Sequence, residues 1–278
     1  MRPGRRRSGA RSGLRRALAP AALLVGLVAI WELAAQQGVL ADLLLTDQGA
    51  GGDGDSADFL VPAPSDIAGK LWAERGLLAG DTWVTLTEVL LGFVLALAAG
   101  LALAVVIHLS ETTRRAVYPL VVASQTIPIV VIAPILVVWF GFGIFPKLLI
   151  ISLICFFPIT VNSYDGLRSV DPDLIKMMRT LGANRLQTLR RAELPWALPF
   201  VFSGAKIAVA VAVIGAVFAE WAGADSGLGH LILVSSGELS TALSFAAILV
   251  LAAIAICLFA LLALLERRIV TWKENPAG

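Results

Sequence analysis

Residues 84–108 read VTLTEVLLGFVLALAAGLALAVVIH, with Glu88 the one carboxylate among apolar and small residues. A hydrocarbon core about 30 Å thick is crossed by a helix of about 17–25 such residues. The run does not alternate apolar with polar, as a strand of a closed barrel would. An open strand would leave its backbone groups unpaired in lipid. A membrane-crossing helix is the reading that remains.

Further runs of this kind lie on both sides: Leu18 to Ala35, Val117 to Phe140, Phe145 to Val161, Ala197 to Ala219 and Ala242 to Leu265. Composition agrees with them. The chain of 278 residues is 58% hydrophobic and 15% charged, with a mean hydropathy of +0.85. Soluble domains run about 45–50% apolar and about 25% charged, and a soluble fold of this size could not hide the excess. The expected fold is an all-α integral membrane protein of about six transmembrane helices.

The net charge of +2 says little, but its distribution orients the chain. Arg2, Arg5, Arg6, Arg7, Arg11, Arg15 and Arg16 precede the first run. That run is long enough to span and ends in no clear cleavage site, so a retained helix is expected rather than a signal peptide. With the N-terminus inside, the inner segments also carry Arg114, Arg115, Arg168, Lys176, Arg179, Arg185, Arg190, Arg191, Arg267, Arg268 and Lys273. The outer ones carry Lys70 and Arg75, with Lys147 at the edge of the fourth span. The excess of basic residues inside places both termini in the cytoplasm.

The first outer loop is long and rich in Asp, from Asp42 to Asp66, and Gln48 to Asp58 reads as a solvated linker. Asp53 and Asp55 lack the full spacing of a calcium loop. Pro62-Ala-Pro64-Ser65-Asp66 looks like a turn and a helix cap. The expected organisation is a basic cytoplasmic tail over 1–17, a first span with its acidic extracytoplasmic linker over 18–58, a transmembrane domain over 59–268 and a cytoplasmic tail over 269–278. Cys155 and Cys257 sit in apolar runs with no metal-ligand or disulfide spacing.

Two places interrupt the apolar pattern in an informative way. In the third run, Pro128 and Pro134 each remove a backbone donor. Ser124, Gln125 and Thr126 stand just before the first of them. A polar cluster beside a helix break suits a passageway, and equally suits helix–helix packing by small polar residues.

The inner segment Asn162 to Trp196 is more ordered in pattern than a tether. Asp171-Pro172 is a helix start, with a capping acceptor and a proline at the first position. Leu174, Ile175, Met178 and Leu181 recur at helical spacing, and Gly182 stops the helix. A second amphipathic stretch runs from Arg185 to Glu193 with Leu186 and Leu189 on one side, and Leu194-Pro195 ends it before the fifth run. The product is a helical hairpin with apolar residues available either to a protein partner or to a lipid surface.

This hairpin resembles the EAA loop of ABC importer permeases, whose pattern is Glu-Ala-Ala, three residues, Gly, nine residues, Ile, one residue, Leu-Pro. Gly182, Leu194 and Pro195 fall on that pattern, while Lys176, Met177 and Met178 stand where Glu-Ala-Ala is expected and Ala192 where Ile is. Further stretches are similar to the same family: Thr85 to Gly100, Gln125 to Pro134, Trp139 to Gly143, Phe156 to Pro172 and Gly227-Leu228-Gly229. The resemblance runs from about Phe59 to Arg268 and is nearest to the branch importing nitrate, sulfonates, taurine and the pyrimidine precursor of thiamine. Phe156 to Asp173 and Glu220-Trp221 look most like the thiamine-precursor members.

The resemblance implies a type I importer permease in the bacterial cytoplasmic membrane. It implies a permease homodimer, a cytoplasmic ABC ATPase and an extracytoplasmic substrate-binding protein as partners. It assigns ATPase coupling to the hairpin, within the loop 165–195, through Asp171, Pro172, Met178, Gly182, Ala183, Leu186, Leu189, Leu194 and Pro195. No GxxxxGK(S/T) phosphate loop occurs in the sequence, so ATP and Mg are expected on the ATPase chain, and no catalytic, cofactor or metal residue is expected here.

Ser124, Gln125, Thr126, Asn162 and Glu220 are candidates for the translocation path, because polar groups at membrane depth are costly. Glu220, Glu88 and Glu32, near outer span ends, also read as solvated interface residues, and Lys206 as one that reaches for the inner interface. A stand-alone secondary transporter or channel would need a coupling site in repeated halves. An intramembrane enzyme would need a catalytic cluster at depth. The sequence offers neither.

Overall fold

The computed structural model describes residues 9–37 and 61–272. The start of the arginine-rich tail, the acidic linker across residues 38–60 and the chain after residue 272 lie outside the described residues. Every regular element among the described residues is helical. The chain forms two compact units, Met1–Arg75 with Val234–Ala246, and Gly76–Leu233 with Ala247–Gly278.

In the first unit, α1 (Gly9–Gln36) packs against α2 (Pro64–Ala73). Pro64 opens α2 as expected, but neither Ser65 nor Asp66 caps it. Ser65 instead donates its N–H (3.0 Å) and its hydroxyl (2.7 Å) to the Glu32 carboxylate of α1. Glu32 is therefore a tether between two helices rather than a merely solvated carboxylate. Trp31 of α1 meets Phe245 with ring centroids 6.2 Å apart. Ser235 and Ser244 share a buried 2.6 Å hydrogen bond.

The second unit contains nearly all of α3 (Arg75–Leu109), then α4 (Glu111–Ala123), a 3-10 turn (Ser124–Thr126), α5 (Ile129–Phe140) and α6 (Ile144–Arg168). The hairpin follows, with α7 (Pro172–Thr180), α8 (Arg185–Thr188) and a π turn (Leu189–Glu193) that runs straight into α9 (Leu194–Gly223). α10 (Leu228–Gly237) and α11 (Thr241–Ile269) each have residues assigned to both units. Among the described residues, four helices are long and apolar enough to cross a membrane: α3, α6, the 39-residue helix Arg185–Gly223 and α11.

The third apolar run is not one rod. α4 and α5 meet at 100° across the turn. Pro128 makes that break, standing extended (ψ 124°) just before α5, whereas Pro134 is absorbed inside α5. Pro134 is the sixth residue of α5, past the N–H groups that a helix start leaves unpaired, so it removes one intrahelical bond without ending the helix.

Small residues let the rods approach. A Cβ at Gly92 would fall 2.6 Å from Ile151 of α6, and one at Gly204 of α9 would fall 2.6 Å from the Pro158 carbonyl of α6. Glycine at such positions is how helices pack closely in lipid. Cys155 is buried in the same layer and donates to the Ala208 carbonyl at 3.3 Å, with no disulfide.

Candidate functional site: the helical hairpin and a buried carboxyl cluster

The hairpin is built from local signals. Asp171 caps α7 by accepting from the Asp173 N–H at 2.8 Å, and Pro172 takes the first helical position. At the other end Gly182 has φ +84°, the left-handed conformation that glycine adopts without a Cβ penalty. Its N–H donates to the Arg179 carbonyl (3.0 Å), and the Ala183 N–H reaches back to the Met178 carbonyl (2.9 Å). These two bonds define a Schellman turn. Asn184 and Gln187 then exchange capping bonds of 2.8 and 2.9 Å to start α8.

Leu194-Pro195 does not end the second helix, contrary to the sequence expectation. The π turn inserts one residue, and the Leu194 N–H donates to the Leu189 carbonyl five residues back. The helix continues through Pro195, which stands directly after the π turn. Hairpin and span are thus one continuous helix.

Leu189 is also turned differently from the expectation. It is 5% exposed and packs with Leu167 and Ala197, and Val105 lies against them. It roots the hairpin and is not available to a partner. Leu186, 56% exposed, is available, as are Met177 and Leu181, the latter 79% exposed. Sequence periodicity grouped Leu181 with the helix's apolar residues but could not say that the tight turn would lift it clear. Met178 and Ala183 are half-buried, Asp171 and Pro172 exposed, Leu194 exposed and Pro195 half-buried.

A polar contact fixes the root. His108 Nε2 of α3 meets Glu193 Oε2 at 2.8 Å, both side chains mostly buried. Arg185 Nη2 donates to the His108 carbonyl at 3.2 Å. The end of α3 is thereby tied to both parts of the hairpin's second helix. No short motif announces this pair, since its members are 85 residues apart.

Near the far end of α9, about 40 Å away at 1.5 Å per residue, Glu220 is 1% exposed and not solvated. Its Oε1 accepts from the Thr85 hydroxyl of α3 at 2.6 Å. Its Oε2 accepts from the N–H groups of Gly229 (2.5 Å) and His230 (3.3 Å). Thr85 Oγ1 in turn accepts from the Leu228 N–H at 2.9 Å, and Asp81 Oδ1 from the Gly227 N–H at 2.9 Å. The first N–H groups of a helix have no partner within it. Here three side chains from two spans supply those partners for α10, with a carboxyl group at the positive end of its dipole.

Gly227 and Gly229 are the counterpart of that cap. A Cβ on Gly227 (φ +115°) would meet the Glu220 carboxyl at 2.4 Å, and one on Gly229 would come within 2.8 Å of it and of the Val217 Cα. The Gly-Leu-Gly spacing is the signal from which this cap could have been read.

Glu88, one turn along α3 from Thr85, is buried and accepts from Lys147 Nζ of α6 at 2.7 Å. Lys147 is consequently not a free charge at a span edge. Lys206 of α9 does not reach alone for the interface but pairs with Glu266 of α11 at 2.6 Å. Trp221, beyond anchoring a span end, donates to the Gly229 carbonyl at 2.8 Å.

The other path candidates sit apart. Ser124 and Thr126 bond the Val121 and Ala123 carbonyls of their own turn, each at 2.7 Å, and Gln125 is exposed. Asn162 is half-buried where α6 meets α9, its amide donating to the Pro158 carbonyl at 2.7 Å. Among the described residues no hydrogen bond joins these side chains to Glu220. No group of three or more metal-ligating side chains occurs among the described residues.

Comparison with known proteins accords with this architecture. The family described as "Binding-protein-dependent transport system inner membrane component" matches residues 92–271. The formylaminopyrimidine transport permease protein ThiX of Halalkalibacterium halodurans is 34% identical over 93% of this chain and 97% of its own. The riboflavin transport system permease protein RibX of Chloroflexus aurantiacus is 41% identical over 78% of this chain and 82% of its own. Among solved structures, an inward-facing form of the MetNI methionine ABC transporter superposes with a TM-score of 0.61 at 21% identity, covering 73% of this chain and 99% of that one. The helical architecture is that of the type I ABC importer permeases. The chain belongs to the family of binding-protein-dependent transport system inner membrane components, the permease subunits of ABC importers.

Proposed function

We propose that this permease moves a hydroxymethylpyrimidine-type thiamine precursor inward across the cytoplasmic membrane. The observation that carries the substrate is the likeness to a formylaminopyrimidine transport permease over almost the whole of both chains. A second reading, a larger nitrogen heterocycle of the riboflavin kind, is favoured by the higher identity to RibX over a shorter stretch. Nitrate, sulfonate and taurine follow as the other solutes of this branch.

In this reading two copies of the chain form the pathway, with both termini in the cytoplasm. A substrate-binding protein delivers the solute outside, and a separate ABC ATPase binds ATP and Mg inside. The ATPase receives the hairpin on Met177, Leu181 and Leu186, the exposed apolar residues of its tip. Because the second half of the hairpin and α9 form one 39-residue helix, a push on the tip is passed to the span along that helix. The His108–Glu193 contact carries the same displacement to α3. Ser124, Gln125, Thr126 and Asn162 are the polar positions proposed for the path, and Glu220 belongs with them as the residue that holds α10 against α3 and α9.

The test is uptake. Cells lacking their own pyrimidine-precursor and riboflavin importers are supplied with this permease, its ATPase and its binding protein. Labelled hydroxymethylpyrimidine, formylaminopyrimidine, riboflavin and taurine are then offered in turn. ATP-dependent accumulation of the pyrimidines alone is the expected result. Accumulation of riboflavin alone selects the second reading, and uptake without the ATPase chain refutes the importer mechanism.

A further inference from the structure

Beside the His108–Glu193 contact at the hairpin root lies a cavity of about 350 Å³. It opens between the ends of α3 and α6 and the inner side of α7 and α8. Its floor is apolar, with Leu167 and Ile175 among the lining residues. Its walls carry four basic side chains, Arg168, Lys176, Arg179 and Arg185, against a single lining carboxylate, Glu193.

That carboxylate is already engaged by His108 at 2.8 Å. Lys176 is paired with Asp173 at 2.9 Å. Among the described residues the three guanidinium groups have no carboxylate partner. Arg168 is held over the Tyr164 ring, its guanidinium carbon 5.5 Å from the centroid, with Nη1 3.2 Å from the Tyr164 hydroxyl. Arg185 is held by the His108 carbonyl. Arg179 stands one turn along α7 from Lys176, so both face the same side. Three guanidinium forks, from a span end and from both arms of the hairpin, thus line one space, with Arg168 and Arg185 anchored in place. Guanidinium forks match the oxygens of phosphate groups in paired hydrogen bonds, and the volume lies in the range of small-ligand sites, about 300–1,000 Å³.

We propose that this cavity binds a phosphate-bearing anion, either a free phosphate ester or diphosphate, or the headgroup of an anionic phospholipid. Bound there, the anion bridges Arg168 on the span end to Arg179 and Arg185 on the hairpin, and holds the two together.

The full chain in nanodiscs of phosphatidylcholine is titrated with inorganic pyrophosphate by calorimetry. The same chain is placed in discs containing phosphatidylglycerol, and lipid retained after delipidation is counted by native mass spectrometry. Arg179→Gln and Arg168→Gln are compared with Arg115→Gln, an exposed arginine outside the cavity. Saturable pyrophosphate binding that weakens about tenfold or more in each cavity variant, but not in Arg115→Gln, identifies the free anion. Retention of phosphatidylglycerol with the same dependence, and no pyrophosphate binding, identifies the lipid headgroup. Arg179→Lys restores part of the affinity in either case, and monodisperse elution of every variant excludes misfolding. Absence of both ligands, or binding that ignores Arg168 and Arg179, overturns the proposal.

Discussion

Replacing Thr85 by Val tests the capped start of α10 with little change of shape. Thr85 is 0% exposed, and its hydroxyl is used twice, as donor to Glu220 and as acceptor from the Leu228 N–H. Valine leaves that N–H buried without an acceptor, at a cost of about 1–3 kcal/mol. It also deprives Glu220 of one donor, a further loss of about 1 kcal/mol. The expected destabilisation is about 3 kcal/mol. For a protein of this size about 1 kcal/mol moves the midpoint by about 2–4 °C, so the melting temperature falls by about 6–12 °C. Circular dichroism of the purified chain in detergent measures it. Thr85→Ser keeps the hydroxyl and loses only a methyl group, so it falls by less than half as much. If Val melts within about 2 °C of the parent, or Ser falls as far as Val, the hydroxyl is not what holds α10, and the reasoning fails.

Gly229→Ala places a Cβ 2.8 Å from the Val217 Cα, which as backbone cannot yield. A loss of about 1–3 kcal/mol in the same melting assay is expected, and Gly237→Ala, which meets nothing within 4 Å, shows none. Lys147→Ala strands the buried Glu88 carboxylate and destabilises by about 3–5 kcal/mol, whereas Lys147→Met with Glu88→Leu recovers most of that loss. Leu186→Asp changes an exposed residue and leaves the melting temperature unaltered but abolishes co-purification of the ATPase. Gly182→Pro weakens that co-purification too, by replacing a residue at φ +84° with one locked near −65°. Unchanged ATPase recovery in both variants removes the hairpin tip as the dock.

What the sequence made legible is what its residues decide within a few positions of themselves. Asp171-Pro172 and Gly182 mark the ends of α7 because a cap and a left-handed turn act within one helical turn. Pro128 marks the bend for the same reason. The apolar runs located the spans but not their ends: α6 continues through Asn162 to Arg168, because the helix persists after the hydrocarbon pattern stops. Leu194-Pro195 misled, since a proline near a helix start and a proline that ends a helix look alike in one dimension. Only the π turn over Leu189–Glu193 distinguishes them. Leu189 was grouped with Leu186 by spacing alone, but Leu186 is exposed while Leu189 is buried against Leu167 and Ala197.

Glu32, Glu88 and Glu220 were also read as solvated interface residues because each was judged alone. In lipid that judgement misses the main force selecting neighbours. Tails outside are as apolar as side chains inside, so burial of leucine does not choose which helix packs on which. Close contacts at small residues and polar pairs make that choice. α3 shows it along its length: Thr85 binds Glu220 of α9, Glu88 binds Lys147 of α6, and His108 binds Glu193 at the hairpin root. These partners are 135, 59 and 85 residues distant in sequence. Thr85 and His108 are about 35 Å apart along the helix, more than the hydrocarbon thickness of about 30 Å. A single span is therefore pinned at both membrane faces, to different elements. The Glu88–Lys147 pair could be exchanged for apolar contact at little cost in stability, but a slip of α3 by one turn would then meet less opposition. The polar pairs fix the register of α3 against α6, α9 and the hairpin root.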